Sequence, residues 1–181
     1  MRGKIHLGRN GWEKRAKRIR LLLLDADGVL TDGRIAYDGA GREIKFFDVK
    51  DGQGIQLLHH AGMEVGILSG RGSPAVRIRA KELGITLLRQ GVRDKGKALE
   101  EIMWKKGYTP EQICFVGDDL VDLPVFARVG LAVAVADGTE DVKAKAHYIT
   151  HHSGGKGAVR EVCDLILKAQ GKWEAVTRLY F

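Results

Sequence analysis

Arg20-Leu21-Leu22-Leu23-Leu24-Asp25-Ala26-Asp27-Gly28-Val29-Leu30-Thr31-Asp32 decides the fold of this 181-residue chain. Four leucines run straight into two carboxylates spaced i, i+2, and a glycine follows at once. A short apolar run closed by a turn signal reads as a buried strand. Residues i and i+2 of a strand share one face, so Asp25 and Asp27 are expected close together where the sheet ends. Unpaired buried charge is expensive there, and a hard cation such as Mg²⁺, which prefers oxygen ligands, is the usual remedy. Alone, Asp-x-Asp is as readily a turn with helix-capping carboxylates.

Outward from that strand the pattern alternates. Gly33–Asp48, with Asp38-Gly39 as a turn, reads as a β-hairpin flap. A short helix is expected over 52–61 and a strand over 64–68, closed by Ser69-Gly70-Arg71-Gly72. Ser73 caps a helix that opens on Pro74 and runs to Leu83. Strands follow at 85–88, 113–116, 131–135 and 148–150. Helices fall at 95–106, 120–128, 140–146 and 158–170. Strands alternating with helices of about ten residues predict an α/β, doubly wound, mostly parallel sheet of Rossmann type. In such folds ligands bind beyond the carboxyl ends of the strands.

Polar residues collect at those ends. Asp25 and Asp27 follow the first strand, Ser69 the second, Lys95 opens the helix after the third, and Asp118, Asp119 and Asp122 follow the fourth. Each has a dull reading as turn chemistry, a solvated charge or a helix cap. Accident would not set all four at successive strand ends, and the inventory suits phosphoryl transfer, where the protein positions groups and stabilises charge.

The chain resembles the haloacid dehalogenase-like (HAD) superfamily, whose four motifs match Asp25-x-Asp27-Gly28, Ser69-Gly70, Lys95 and Gly117-Asp118-Asp119-x-x-Asp122. The resemblance spans roughly residues 19 to 170. Ser69-Gly70-Arg71, the segment 79–85 and Gly154-Gly155-Lys156-Gly157-Ala158-Val159-Arg160-Glu161 are similar to its branch of 3-deoxy-D-manno-octulosonate (KDO) 8-phosphate phosphatases. That family hydrolyses a phosphorylated eight-carbon acid sugar on the route to lipopolysaccharide. The resemblance implies Asp25 as nucleophile, Asp27 as acid and base, and Ser69 and Lys95 on the phosphate. It places Mg²⁺ on Asp25, Asp27 (through its backbone carbonyl) and Asp118, with Asp119 and Asp122 behind these ligands. Arg71, and after it Lys156 and Arg160, are the candidates for the sugar carboxylate, because Arg is a planar partner for that group.

Forty-one residues separate Asp27 from Ser69, room for a hairpin and one helix but no cap domain. The capless relatives form tetramers, so a homotetramer with the hairpin at the contact is expected. Apolar Ile35, Tyr37, Phe46 and Phe47 fit burial there, and fit a core contact equally well. The expected division is a basic arm (1–18), the phosphatase domain (19–170) and a tail (171–181) ending in Leu179-Tyr180-Phe181 that is apolar enough to dock.

The net charge of +7 sits in residues 1–20. Residues 1–20 hold eight Lys or Arg and one Glu, and the other 161 residues hold 22 of each sign. Without an aromatic-basic platform in the body, a solvated extension is the better reading than a nucleic-acid site; Trp12 offers an anchor for a helix there, with Gly11 as a break, and a variable start is the alternative. No stretch has the length of a membrane span, and Ile19–Leu24 makes a poor signal peptide, so a cytoplasmic protein is expected. Cys114 and Cys163 read as small buried hydrophobes. His59-His60 and His151-His152 lack metal spacing and read as surface or helix-end residues. One rival is a phosphatase of a nine-carbon acid sugar 9-phosphate. Another is a receiver-like phospho-aspartate switch, whose acidic pair would instead be adjacent on the first strand. A scaffold that lost catalysis sits badly with four intact motifs.

Overall fold

In the computed structural model, residues 10–180 are described. Six strands form one parallel sheet in the order β5-β4-β1-β6-β7-β8: β1 Leu21–Leu24, β4 Glu64–Leu68, β5 Leu87–Arg89, β6 Ile113–Gly117, β7 Leu131–Ala134 and β8 Tyr148–Ile149. A separate antiparallel pair, β2 Ala36–Tyr37 and β3 Glu43–Ile44, makes the hairpin. The helices are α1 Asn10–Ala16, α2 Val49–His60, α3 Pro74–Glu82, α4 Lys95–Lys106, α5 Leu123–Phe126, α6 Glu140–Lys143, α7 Ala158–Ala169 and α8 Trp173–Thr177.

Strand periodicity splits the core in two. Leu22 and Leu24 face a layer with Ile55, Val76 and Val162 from α2, α3 and α7, while Leu21 and Leu23 face Leu99 and Val125 from α4 and α5. Both faces of β1 are fully buried, as a central parallel strand requires. The chain winds outward from β1 in both directions, so β1 and β6 flank the point where connections diverge, the usual site of a ligand crevice.

Several boundaries differ from expectation for physical reasons. Helix α2 starts at Val49 because Asp48 caps it, accepting from Lys50 N at 2.6 Å and Asp51 N at 3.2 Å. The stretch after Asp119 is a 3₁₀ turn, Leu120–Asp122, followed by the single helical turn α5, rather than one helix. Strand β5 falls at Leu87–Arg89, where it pairs with β4.

The basic arm is not a free extension over residues 10–19. Ala16 and Ile19 are buried, and Trp12 packs edge-on against Tyr148 at 5.3 Å. Trp12 and Ala16 lie one turn apart on α1, which docks beside α7, and Ile19 follows the helix. Residues 1–9 and Phe181 lie outside the described residues. The rest of the tail folds back as α8, burying Val176 beside α2 and α7. No helix among the described residues is long and apolar enough to cross a membrane.

Candidate active site

The carboxyl ends of β1, β4 and β6 and the start of α4 bring the four polar signals to one rim. Strand β1 ends as Asp25 N donates to Val116 O at 3.0 Å. The backbone then turns through Ala26–Leu30, closed by a bond from Thr31 N to Ala26 O at 3.1 Å. Asp25 Oδ1 accepts from Ala26 N at 2.7 Å, which fixes the carboxylate at the mouth of that turn. Gly28 has φ +83°, and a Cβ there would lie 2.0 Å from Asp118 Oδ2. Glycine is therefore what lets Asp118 approach the loop.

Lys95, at the first position of α4, is buried and shared between Asp25 Oδ2 at 2.9 Å and Asp122 Oδ1 at 2.7 Å. The other oxygen of Asp122 accepts from Asp118 N at 2.9 Å, so this fully buried carboxylate is consumed in holding Lys95 and the β6 loop. Asp119 is exposed and caps the next turn through Leu120 N at 2.7 Å. Ser69 is buried at the end of β4, where its backbone bridges Arg89 and Val92.

The electrostatics follow from counting charges. Asp25, Asp118 and Asp122 can each place an oxygen within 4.8 Å of the others, and one ammonium faces them. Burial, then the charge of Asp122, raises the Asp25 carboxyl to about 6 despite Lys95. Burial, then Asp25 and Asp122, raises Asp118 to about 7. Lys95 loses solvation by burial, yet the two carboxylates hold its pKa above the ordinary lysine value. Carboxyls strained in this way are short of positive charge, and a divalent cation supplies it. The residues therefore fit Mg²⁺, with Asp25 and Asp118 as the carboxylates that could hold it.

Asp27 turns the other way, towards the hairpin. Its Oδ1 pairs with Lys45 Nζ, and Arg71 Nε stands 3.8 Å from Oδ2. Arg71 also donates to Glu43 at 2.8 Å, and Lys45 lies 3.2 Å from the same Glu43 oxygen. Glu43 and Lys45 were not singled out in the sequence; the only hint was two charges facing inward on a hairpin whose alternate residues are apolar. Of the carboxylate candidates, Arg71 stands at the rim. Lys156 is exposed and within electrostatic reach of Asp32. Arg160 is turned away, bonded to Asp164 at 2.7 Å with its guanidinium 6.0 Å from the Trp173 ring.

The glycine-rich segment before α7 has a close-packing role. Gly155 N donates to Val29 O at 2.8 Å, and a Cβ on Gly154 would fall 1.7 Å from Gly28 O. Asp51 of α2 anchors it, accepting from Arg160 N at 2.8 Å and Gly157 N at 3.4 Å. Burial raises the Asp51 carboxyl to about 6. His151 and His152 both lean on Glu161, at 2.8 and 2.9 Å.

A sequence profile of haloacid dehalogenase-like hydrolases matches residues 85–162. The chain is 50% identical over 166 residues to the 3-deoxy-D-manno-octulosonate 8-phosphate phosphatase of Yersinia pestis, covering 92% of this chain and 89% of that one. It belongs to the KDO 8-phosphate phosphatase family. Among solved members, the Moraxella catarrhalis phosphatase in complex with a magnesium ion, a phosphate ion and a KDO molecule superposes with a TM-score of 0.93. It is 43% identical, and the match covers 96% of this chain and 99% of that one. The cobalt-bound Haemophilus influenzae phosphatase superposes with a TM-score of 0.85 at 45% identity, covering 89% and 94%.

Proposed function

We propose that the protein is a Mg²⁺-dependent phosphatase that releases phosphate from KDO 8-phosphate, a step in the supply of lipopolysaccharide precursors. The observation that carries this reading is the group of three carboxylates, two of them buried, and one buried ammonium at the ends of β1 and β6, in a chain half identical to a phosphatase of that substrate.

Asp25 attacks phosphorus from the end of β1. The Asp25–phosphorus bond forms, the bond to the sugar oxygen breaks, and the proton of Asp27 goes to that oxygen. Asp27, now a carboxylate, takes a proton from water as the water oxygen bonds phosphorus and the Asp25–phosphorus bond breaks. The sum is ester plus water giving sugar and phosphate. Lys95, held by Asp122, offsets the charge spread over the phosphoryl oxygens, and the Ser69 hydroxyl donates to one of them. Mg²⁺, held by Asp25, Asp118 and the Asp27 carbonyl, would neutralise phosphate charge and let the carboxylate approach an anion.

The hairpin supports a homotetramer. Its outer side shows Ile35, Tyr37, Ile44 and Phe46 to solvent, continued by Val49, which is 80% exposed, whereas Phe47, expected with them, packs against the core. An apolar patch of this kind on one element marks an interface. A cytoplasmic location agrees with Cys114 and Cys163, two buried free thiols. Arg71 at the rim is the proposed partner of the sugar carboxylate.

The test is kcat/KM for KDO 8-phosphate beside a nine-carbon acid sugar phosphate and hexose phosphates. A preference of about two decades or more, roughly 3 kcal/mol of transition-state discrimination, is expected. Equal turnover of all of them would overturn the substrate assignment.

A further inference from the structure

The hairpin is inside out. Along Glu43-Ile44-Lys45-Phe46, the apolar residues Ile44 and Phe46 are exposed, while the side chains of Glu43 and Lys45 retain 11% and 1% of their exposure. Burying an ammonium so completely is costly unless it is paired. Its partners are Glu43, beside it on the hairpin, and Asp27, 18 residues away on the catalytic loop. Arg71 completes a group of two cations and two carboxyls.

Exposure separates the two cations. Arg71 is 41% exposed and has guanidinium surface to offer a ligand. Lys45 has none, since both of its contacts are to the protein's own carboxylates. It grips Oδ1 of Asp27 and leaves Oδ2 with only the longer Arg71 contact. Nothing in the turn itself fixes the Asp27 side chain this way, because the local bonds are made by Asp25, Ala26 and Thr31.

We propose that Lys45, held in place by Glu43, is the positioning residue of Asp27. It presents one carboxyl oxygen to the leaving group, so that seating the hairpin and aligning the acid are a single event. The inference rests on Asp27 being the proton donor of the proposed reaction. Misplacing a reacting group by about an ångström costs on the order of 10²-fold, within the 10² to 10⁴ that a general acid supplies.

The experiment compares two esters in wild type, Lys45→Met, Lys45→Arg and Glu43→Gln. KDO 8-phosphate has an alkoxide leaving group that needs the proton, and p-nitrophenyl phosphate has one that does not. Because kcat/KM reports only the steps up to transfer of the phosphoryl group to Asp25, it isolates the donor role. Lys45→Met is expected to lose roughly 10²-fold on the sugar phosphate and under about threefold on the aryl ester. Lys45→Arg should recover most of the loss, and Glu43→Gln should fall between Lys45→Met and wild type. Equal losses on both esters, a change confined to KM, or no loss would each overturn the inference while leaving an active phosphatase. Wild-type protein inert on both esters would overturn the proposed function and this inference with it.

Discussion

At the rim of the sheet, one buried lysine is shared by carboxylates from two neighbouring strand ends, with a third carboxylate beside them. On the hairpin, one buried lysine is shared by a hairpin carboxylate and the catalytic loop. The first cluster has excess negative charge and sits on β1 and β6, whose residues are fully buried. The second pairs cations with carboxyls between a hairpin of two-residue strands, whose apolar side chains face out, and the loops after β1 and β4. The difference separates two duties. Charge imbalance at the ends of buried strands suits a metal ion and a phosphate, whereas the paired network at the hairpin is proposed to align the Asp27 carboxyl, and the exposed apolar face beside it is the proposed subunit contact.

The largest effect expected from breaking the rim is Asp25→Asn. Turnover should fall by roughly 10⁴-fold or more, because the amide cannot attack phosphorus. The same change should raise the melting temperature of metal-free protein. Asp25 ionises near 6 in the fold against 3.8 unfolded, so its charge costs on the order of 2 kcal/mol at neutral pH. Calorimetry beside a phosphate-release assay checks both signs, and a lower melting temperature would contradict the account of the cluster.

Next is Lys95→Met, which strips the shared cation from two buried carboxylates. Urea unfolding of metal-free protein should show a loss of about 3–5 kcal/mol. A change within about 0.5 kcal/mol would mean the carboxylates are protonated throughout and the cluster is not starved of positive charge.

The pH dependence sharpens the same point. Folded-state values raised to about 6 and about 7 for Asp25 and Asp118 mean that the metal-free fold binds protons the unfolded chain has released. That contribution to stability is fully present below the unfolded value of 3.8 and is lost as pH rises through 6 and 7. Mg²⁺ replaces those protons, so its stabilisation should be small at pH 5 and large at pH 8. Melting curves with and without Mg²⁺ across that range read this directly. A pH-independent increment would contradict it.

The smallest effect belongs to the outer face of the hairpin. Phe46→Ser should shift sedimentation from tetramer towards smaller species while changing the unfolding free energy of the subunit by less than about 0.5 kcal/mol. An unchanged assembly would remove that face from the subunit contact.

What could be read from the sequence was what is local. Each strand end carries its own signal, an apolar run stopping at Asp25, Ser69 or Asp118, and parallel topology gathers those ends without further information. Gly28 was visible as part of a motif, but its reason, the approach of Asp118 from 90 residues away, was not. Lys45 escaped notice because a charged residue in a hairpin reads as solvated, and only the path of the chain brings it to Asp27. Trp12 offered an anchor for a helix in the arm, but the lysines and arginines around it masked the burial of Ala16 and Ile19. Asp51 looked like an ordinary acidic residue in a first helical turn, and its bonds to the start of α7 depend on helices more than a hundred residues apart.

The central claim is that Asp25 carries the phosphoryl group. The direct measurement is to quench the enzyme during turnover of KDO 8-phosphate with borohydride, which reduces an aspartyl-phosphate to homoserine, and to sequence the peptides by mass spectrometry. The account predicts homoserine at position 25, dependent on both substrate and Mg²⁺. Steady release of phosphate with position 25 unmodified, or with the change at Asp27 or Asp118, would contradict it.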